Sequence, residues 1–137
     1  MRCGDAEKGD NVRIFILDDD PKRQQAFSDY YINRYPSCTL YQSYTADEAI
    51  DLLLTQEPFD VVQLDHDLGG KVFQPSGTGT GYEVANAFAE AWGAKKHGRV
   101  IVHSFNGHGA LQMLSCFVAK GIPCEYRPFG VWDEGEK

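Results

Sequence analysis

The sequence predicts a single α/β domain of three layers, a five-stranded parallel sheet held between helices. Short apolar runs suited to strands alternate with segments of helical period, the pattern of parallel strands joined by right-handed crossovers. The runs at 12–17 (VRIFIL) and 99–103 (RVIVH) are apolar on both faces, as strands covered from both sides must be. At 137 residues the chain is long enough to bury a core without staples and too short for two ordinary domains.

Each element has its own signature. The first strand, 12–17, meets Asp20 and Pro21, an N-cap followed by a first-turn proline. Ala26, Phe27, Tyr30 and Tyr31 then recur at helical spacing up to the stop at Tyr35 and Pro36. A second strand at 39–44 leads into Thr45-Ala46-Asp47-Glu48, which has the form of a capping box. It opens a helix with Ala49, Ile50, Leu53 and Leu54 on its expected buried side. The third strand, 59–64, runs directly into Asp65-His66-Asp67 and then into a long loop, 68–80, rich in Gly, Ser, Thr and Pro. Gly81 begins a third helix with Val84, Ala85, Phe88 and Trp92 on one face, followed by the strand at 99–103. A fourth helix starts near Gly107, is expected to bury Leu111, Leu114 and Val118, and stops at Gly121. The last strand is 123–126. The polar stretch after Phe129 is too short for a normal helix, so a fifth helix is expected to be missing. The organisation is thus a leader at 1–11, a domain at 12–130 and a polar tail at 131–137.

Composition narrows the function classes. A formal charge of −7 argues against an extended nucleic-acid surface, which relies on many Lys and Arg contacts to phosphates. A nucleotide partner is expected to be small, or a strand end. The basic knot Lys95, Lys96, His97 and Arg99 reads as an exposed turn. No apolar run approaches the roughly 20 residues of a membrane span, and the leader lacks the apolar core of a signal peptide. Cys3, Cys38, Cys116 and Cys124 show no paired short spacing. They point to reduced thiols and a cytoplasmic setting rather than to zinc or disulfides.

Asp18 and Asp19 close the first strand and Asp65 closes the third, so this fold brings together carboxylates more than 40 residues apart in sequence. Like charges so placed raise one another's pKa unless a cation sits among them, and hard oxygen ligands suit magnesium or manganese. Capping accounts for Asp20, but not for the acids that flank the apolar strands. Ser104 and Arg127, after the fourth and fifth strands, place a hydroxyl and a guanidinium at the same edge, both suited to phosphate. The alternative is that Arg127 pairs with the acids.

In order along the chain, Leu17-Asp18-Asp19-Asp20-Pro21 with Arg23, Leu64-Asp65, Val102-His103-Ser104 and Arg127-Pro128-Phe129 resemble the active-site segments of response-regulator receiver domains. The resemblance spans about 12–129. It implies the flavodoxin/CheY-like strand order 2-1-3-4-5. It also implies an acidic pair, Asp18 and Asp19, holding magnesium, with Asp65 as the phospho-accepting aspartate. The Asp67 backbone carbonyl would complete the metal shell, and Ser104 takes the hydroxyl position. Arg127 departs from the pattern, standing where receivers have a lysine. The runs Asp65-His66-Asp67-Leu68-Gly69 and His103-Ser104-Phe105-Asn106, with the glycine-rich loop before Gly81, are similar to the cyclic-phosphate-processing receivers. That likeness implies handling of a cyclic phosphate on a small nucleotide or RNA end, with Asn106 joining Ser104 and Arg127 on the phosphate.

Opening a cyclic phosphodiester requires a proton for the leaving oxygen, and His66 and His103 are the candidate donors beside Asp65. Strand alternation turns His103 away from the face used by Ser104, so a structural role stands beside the catalytic one. His108 reads as an exposed helix residue. Gly77-Thr78-Gly79-Thr80-Gly81 lacks the lysine of a P-loop and reads as a lid or hinge. The expectation is a magnesium- or manganese-dependent phosphoesterase that could form a homo-oligomer. The alternatives are a stand-alone phospho-accepting receiver and a non-catalytic binding module.

Overall fold

The computed structural model describes residues 12–68, 77, 79–92 and 97–129. The leader, the tail and parts of the 68–80 loop and of the basic turn lie outside the described residues. The elements are β1 (Arg13–Leu17), α1 (Pro21–Arg34), β2 (Thr39–Ser43), α2 (Ala46–Thr55), β3 (Val61–Leu64), α3 (Gly81–Glu90), β4 (Arg99–Val102), α4 (Gly107–Ala119) and β5 (Cys124–Tyr126). All strand pairs are parallel, in the order β2-β1-β3-β4-β5. The register sets Leu17 beside both Ser43 and Leu64, and Leu64 beside Val102, so the chain leaves β1, β2, β3 and β4 along one edge. Residues 18, 44, 65 and 103 begin the loops there.

Alternation divides the core. Phe15, Leu17, Val62, Leu64, Val100 and Val102 pack with residues of α2, α3 and α4, among them Leu53, Phe88, Met113 and Phe117. Ile14, Ile16, Val61 and Ile101 face Phe27 and Tyr31 of α1, with Phe129 packed against them. Each such fully buried side chain stabilises the fold by about 1.5–3 kcal/mol. On the α1 side, β4 and β5 carry Arg99 and Glu125, joined by two hydrogen bonds of 2.8 and 3.1 Å, and Glu125 also pairs with Arg127. These charges satisfy one another, so that stretch of sheet needs no apolar cover. Among the described residues there are four helices, and β5 is the last element.

Local chemistry starts the helices as expected. Asp20 accepts from the Lys22 amide at 2.9 Å, with Pro21 at the first helical position. Thr45 accepts from the Glu48 amide, and Glu48 reaches back to the amide of Tyr44. Asn106 accepts from the Gly109 amide and caps α4, which ends at Gly121 in the left-handed region (φ 72°).

Three expectations are corrected. Helix α4 buries Gly109, Ala110, Met113 and Phe117, while Leu111 and Val118 are 62% and 68% exposed and Leu114 is only partly buried. The reason is close approach: a Cβ on Gly109 would lie 2.6 Å from the His66 ring, so the small-residue face must be the inner one. Leu54 is exposed, because Ala46, Ala49 and Leu53 form the inner stripe of α2. His97 does not belong to an exposed turn; it is buried, stacked on Phe59, and its Nδ1 accepts the Phe59 amide at 2.8 Å.

Candidate functional site

The site begins with three consecutive acids that leave β1. Asp18 is fully buried, and its amide donates to the Ser43 carbonyl at 3.1 Å, which ties it to the end of β2. Its carboxylate accepts from Arg23 Nε at 2.8 Å, Arg23 Nη2 at 2.9 Å and the Asp20 amide at 2.9 Å. Because α1 starts at Pro21, Arg23 stands one turn above the acids. Its guanidinium also lies 3.5 Å from Asp19, 3.2 Å from Asp20 and 3.6 Å from Asp65. In the sequence Arg23 reads only as part of the motif that follows the first strand. Its spacing of three to five residues from Asp20, Asp19 and Asp18, across a helix start, is the signal that places it.

Asp65 leaves β3 on the same edge, and its amide donates to the Leu17 carbonyl. Asp65 Oδ1 accepts the His66 amide at 2.9 Å. Asp65 Oδ2 is buried and has no hydrogen-bond partner among the described residues. Burial and the neighbouring Asp18 charge push the Asp65 carboxyl up to about 8, against the pull of Arg23. Burial also acts to raise Asp18, but hydrogen bonds from His103 and Arg23 outweigh it and hold this carboxyl below its ordinary value.

His103 faces α1, tilted against Phe27 at 4.6 Å between ring centroids. Its Nε2 lies 2.9 Å from Asp18 Oδ2 and its Nδ1 lies 3.0 Å from Gln63 Nε2. Burial holds the ring below its usual pKa and therefore neutral. The carboxylate can only accept, so Nε2 carries the proton and Nδ1 accepts from the Gln63 amide. Gln63 Oε1 in turn accepts from the Tyr31 hydroxyl at 2.5 Å. A buried chain thus runs Tyr31, Gln63, His103, Asp18, each donating to the next, and both nitrogens of His103 are engaged within the protein.

The second histidine belongs to another group. His66 Nδ1 lies 2.7 Å from Asp67 Oδ1, which also accepts from Asn106 Nδ2 at 3.1 Å. The His66 ring is fully buried under Gly109. Asn106 accepts at Oδ1 in the α4 cap and donates from Nδ2 to Asp67, which ties it to the His66 group. The Ser104 hydroxyl is buried and accepts the Asn106 amide at 3.0 Å. Arg127 pairs with Glu125 on the α1 side of the sheet, the face opposite Ser104. The structure therefore gathers Asp18, Asp19, Asp65 and Arg23 in one cluster and His66, Asp67 and Asn106 in a second. His108 is exposed.

The glycine-rich stretch ends in a packing contact. The Gly81 amide donates to the His66 carbonyl at 2.8 Å, and a Cβ there would lie 1.8 Å from the Asp65 carbonyl oxygen. Gly81 is required because α3 starts against the backbone of Asp65 and His66.

Asp18, Asp65 and His103 each bring a ligand atom within 4.8 Å of the others. His103 and both Asp18 oxygens are committed to protein partners. The oxygen open to a cation is Asp65 Oδ2, with Asp19 beside it on Arg23. A hard divalent cation fits this donor chemistry, since it would supply the partner that the buried oxygen lacks.

A five-stranded parallel sheet with this acidic edge defines a receiver domain. The family model for the cyclic-phosphate processing receiver domain matches residues 13–119, and the chain belongs to that family. Solved structures with the same fold include a response regulator from Burkholderia pseudomallei with a phosphorylated aspartic acid, calcium ion and citrate. It is 17% identical with a TM-score of 0.60, over 88% of this chain and 62% of that one. A second is a LuxR-family two-component response regulator from Aurantimonas sp. SI85-9A1, 22% identical, with a TM-score of 0.60 over 88% of this chain and 75% of that one. A third is the receiver domain of a sensor histidine kinase from Pseudomonas aeruginosa PAO1 with magnesium coordinated in its active-site cleft. It is 15% identical, with a TM-score of 0.59 over 92% and 90%. A comparison with curated protein sequences finds no match. Among the described residues no helix is long and apolar enough to cross a membrane.

Proposed function

We propose that this receiver domain is a metal-dependent phosphoesterase that opens the cyclic phosphate of a small nucleotide or an RNA end. The observation that carries the reading is the buried Asp65 Oδ2, without a hydrogen bond among the described residues and 3.6 Å from Arg23, beside Asp18 and Asp19 in a chain of the cyclic-phosphate-processing family. Magnesium or manganese on Asp19 and Asp65 would supply the positive charge that polarises a phosphoryl oxygen. Arg23 is better placed than Arg127 to grip the remaining phosphate oxygens, being already at the acids and 25% exposed at its side chain. Ser104 contributes a hydroxyl hydrogen. Asp65 orients a water that forms a new P–O bond as one ring P–O bond breaks, and the proton lost by that water goes to the leaving oxygen, giving a monoester and a hydroxyl. Where Asp65 attacks instead, the resulting acyl phosphate is released as the monoester only when water hydrolyses it. His103 acts as a positioning residue that fixes Asp18, and His66 fixes Asp67; neither is the proton donor in this reading.

A second reading is supported by the same oxygen. Asp65 Oδ2 could take a phosphoryl group, as the phosphorylated aspartic acid does in the Burkholderia regulator. The two separate in one experiment with the whole chain in magnesium. Under the first reading, 2′,3′-cyclic nucleotides turn over, and the activity is lost with chelator or in Asp19→Ala. Under the second, acetyl phosphate leaves a stable mass adduct that is absent from Asp65→Asn. Neither turnover nor adduct would overturn both.

A further inference from the structure

On the sheet edge that carries the acids is a cavity of about 210 Å³ lined, among the described residues, by Tyr44, Thr45, Ala46, Asp47, Leu68, Gly79 and Glu83. Its walls come from the start of α2, the first turn of α3 and the loops that precede them, on the strand-end edge that carries the acids. Tyr44 follows Ser43, whose carbonyl accepts the Asp18 amide. Leu68 stands three residues beyond Asp65, and Gly79 stands two before Gly81, which packs on the Asp65 carbonyl. A group held in the cavity is therefore on the same edge of the sheet as whatever Asp65 and Arg23 hold.

The lining has a specific chemistry. Tyr44 is a 40% exposed aromatic at the rim, with Leu68 and Ala46 as buried apolar floor. Glu83 already accepts the Gly79 amide at 2.8 Å, and Glu48 and Thr45 are used in the capping box of α2. Asp47 is exposed and has no hydrogen-bond partner among the described residues. The cavity thus offers an aromatic face, an apolar floor and acceptors, with no cation among the described residues that line it. It is smaller than the roughly 300 Å³ at which sites for drug-sized ligands begin, which suits one ring system and not a whole nucleotide.

We propose that this cavity holds the base of the nucleotide, and that it favours guanine. The inference rests on the reading that the acidic pocket takes the phosphate, and it names the substrate class more narrowly. Bases stack on aromatic faces whatever their identity, so Tyr44 gives affinity. Asp47 gives the choice: a carboxylate has two adjacent acceptors, and guanine alone of the common bases presents two adjacent donors, N1–H and the 2-amino group, on its Watson–Crick edge. Uracil sets carbonyl oxygens on both sides of its single donor and would be repelled. Adenine and cytosine set a ring acceptor beside their amino group.

The test uses the whole chain with magnesium and measures Kd calorimetrically for guanosine and uridine 2′,3′-cyclic phosphates and for guanosine alone. Guanosine cyclic phosphate binds about ten-fold tighter than the uridine compound. Tyr44→Ala weakens it by about ten-fold, and Asp47→Asn removes most of the preference. Both residues are exposed, and a thermal melt confirms that each variant folds. Equal binding of both compounds, unchanged in the variants, would overturn the base site and leave the phosphate reading intact. If neither cyclic phosphate binds, the phosphate reading fails, and guanosine alone decides: binding lost in Tyr44→Ala upholds the cavity, and no binding overturns it.

Discussion

Asp18 and Asp65 are both buried aspartates on one edge of the sheet, yet they are held in opposite senses. Asp18 has two charged hydrogen bonds from Arg23 and one from neutral His103, and stays ionised; Asp65 Oδ2 has no donor, and the carboxyl is pushed up to about 8. The difference depends on the chain behind Asp18. In Tyr31→Phe, Gln63 Oε1 loses the hydroxyl that it accepts, deep in the core. An acceptor stranded in this way costs about 1–3 kcal/mol. Urea denaturation should show that loss in Tyr31→Phe, and no change relative to the parent would mean that the chain carries no energy. The acids themselves were legible from their places at the ends of apolar strands. Gln63 and Tyr31 were not, because nothing in strand or helix period marks a polar residue whose partner is 32 positions away. The histidines were legible as residues of interest, but their partners, which decide between a proton donor and a brace, appear only when β4, β3 and α1 are packed.

At the level of elements, the alternation of strands and capped helices gave the order and nearly all the boundaries, since caps, prolines and apolar runs act locally. The inner face of α4 was not legible. Leu111, Leu114 and Val118 form one helical stripe and Ala110, Met113 and Phe117 the next, and hydrophobicity alone favours the first. What selects the second is backbone proximity to His66, a tertiary fact. The same holds for Gly81, which as part of Gly77-Thr78-Gly79-Thr80-Gly81 read as a hinge and is a packing contact. Helix propensity predicts that Gly→Ala at a helical position is favourable by up to about 1 kcal/mol. Gly107→Ala, whose Cβ would meet nothing within 4 Å, should follow that rule. Gly81→Ala should instead lose more than about 2 kcal/mol, because its Cβ would lie 1.8 Å from a backbone oxygen that cannot swing aside. Paired denaturation curves check this, and equal stability of the two variants would show that α3 can shift freely from Asp65.

At the scale of the whole molecule, the site should set how stability follows pH. Asp65 rises from 3.8 unfolded to about 8 folded, so above pH 3.8 the folded state keeps a proton that the unfolded state releases, and stability falls as pH rises toward 8. His103 has the opposite sense: its folded value lies below 6.5, so stability is lost as pH falls below 6.5 and is fully present above it. Just under pH 6.5 the two slopes oppose each other. Between 6.5 and 8 the Asp65 contribution is the one that falls, and at about 1.4 kcal/mol per unit it takes roughly 2 kcal/mol from the fold. In chelator, the melting temperature should therefore drop by on the order of 6 °C between pH 6.5 and 8.5. Asp65→Asn has no proton to release and should stay level across that window. Magnesium should also level the parent curve, because a cation on the ionised carboxylate binds the folded state and not the unfolded one. A level parent curve in chelator would show that Asp65 ionises without penalty. A drop that persists in Asp65→Asn would place the titrating group elsewhere. A drop that magnesium leaves untouched would mean that the acidic edge does not hold the ion, even though the carboxylate is as strained by burial as its surroundings require.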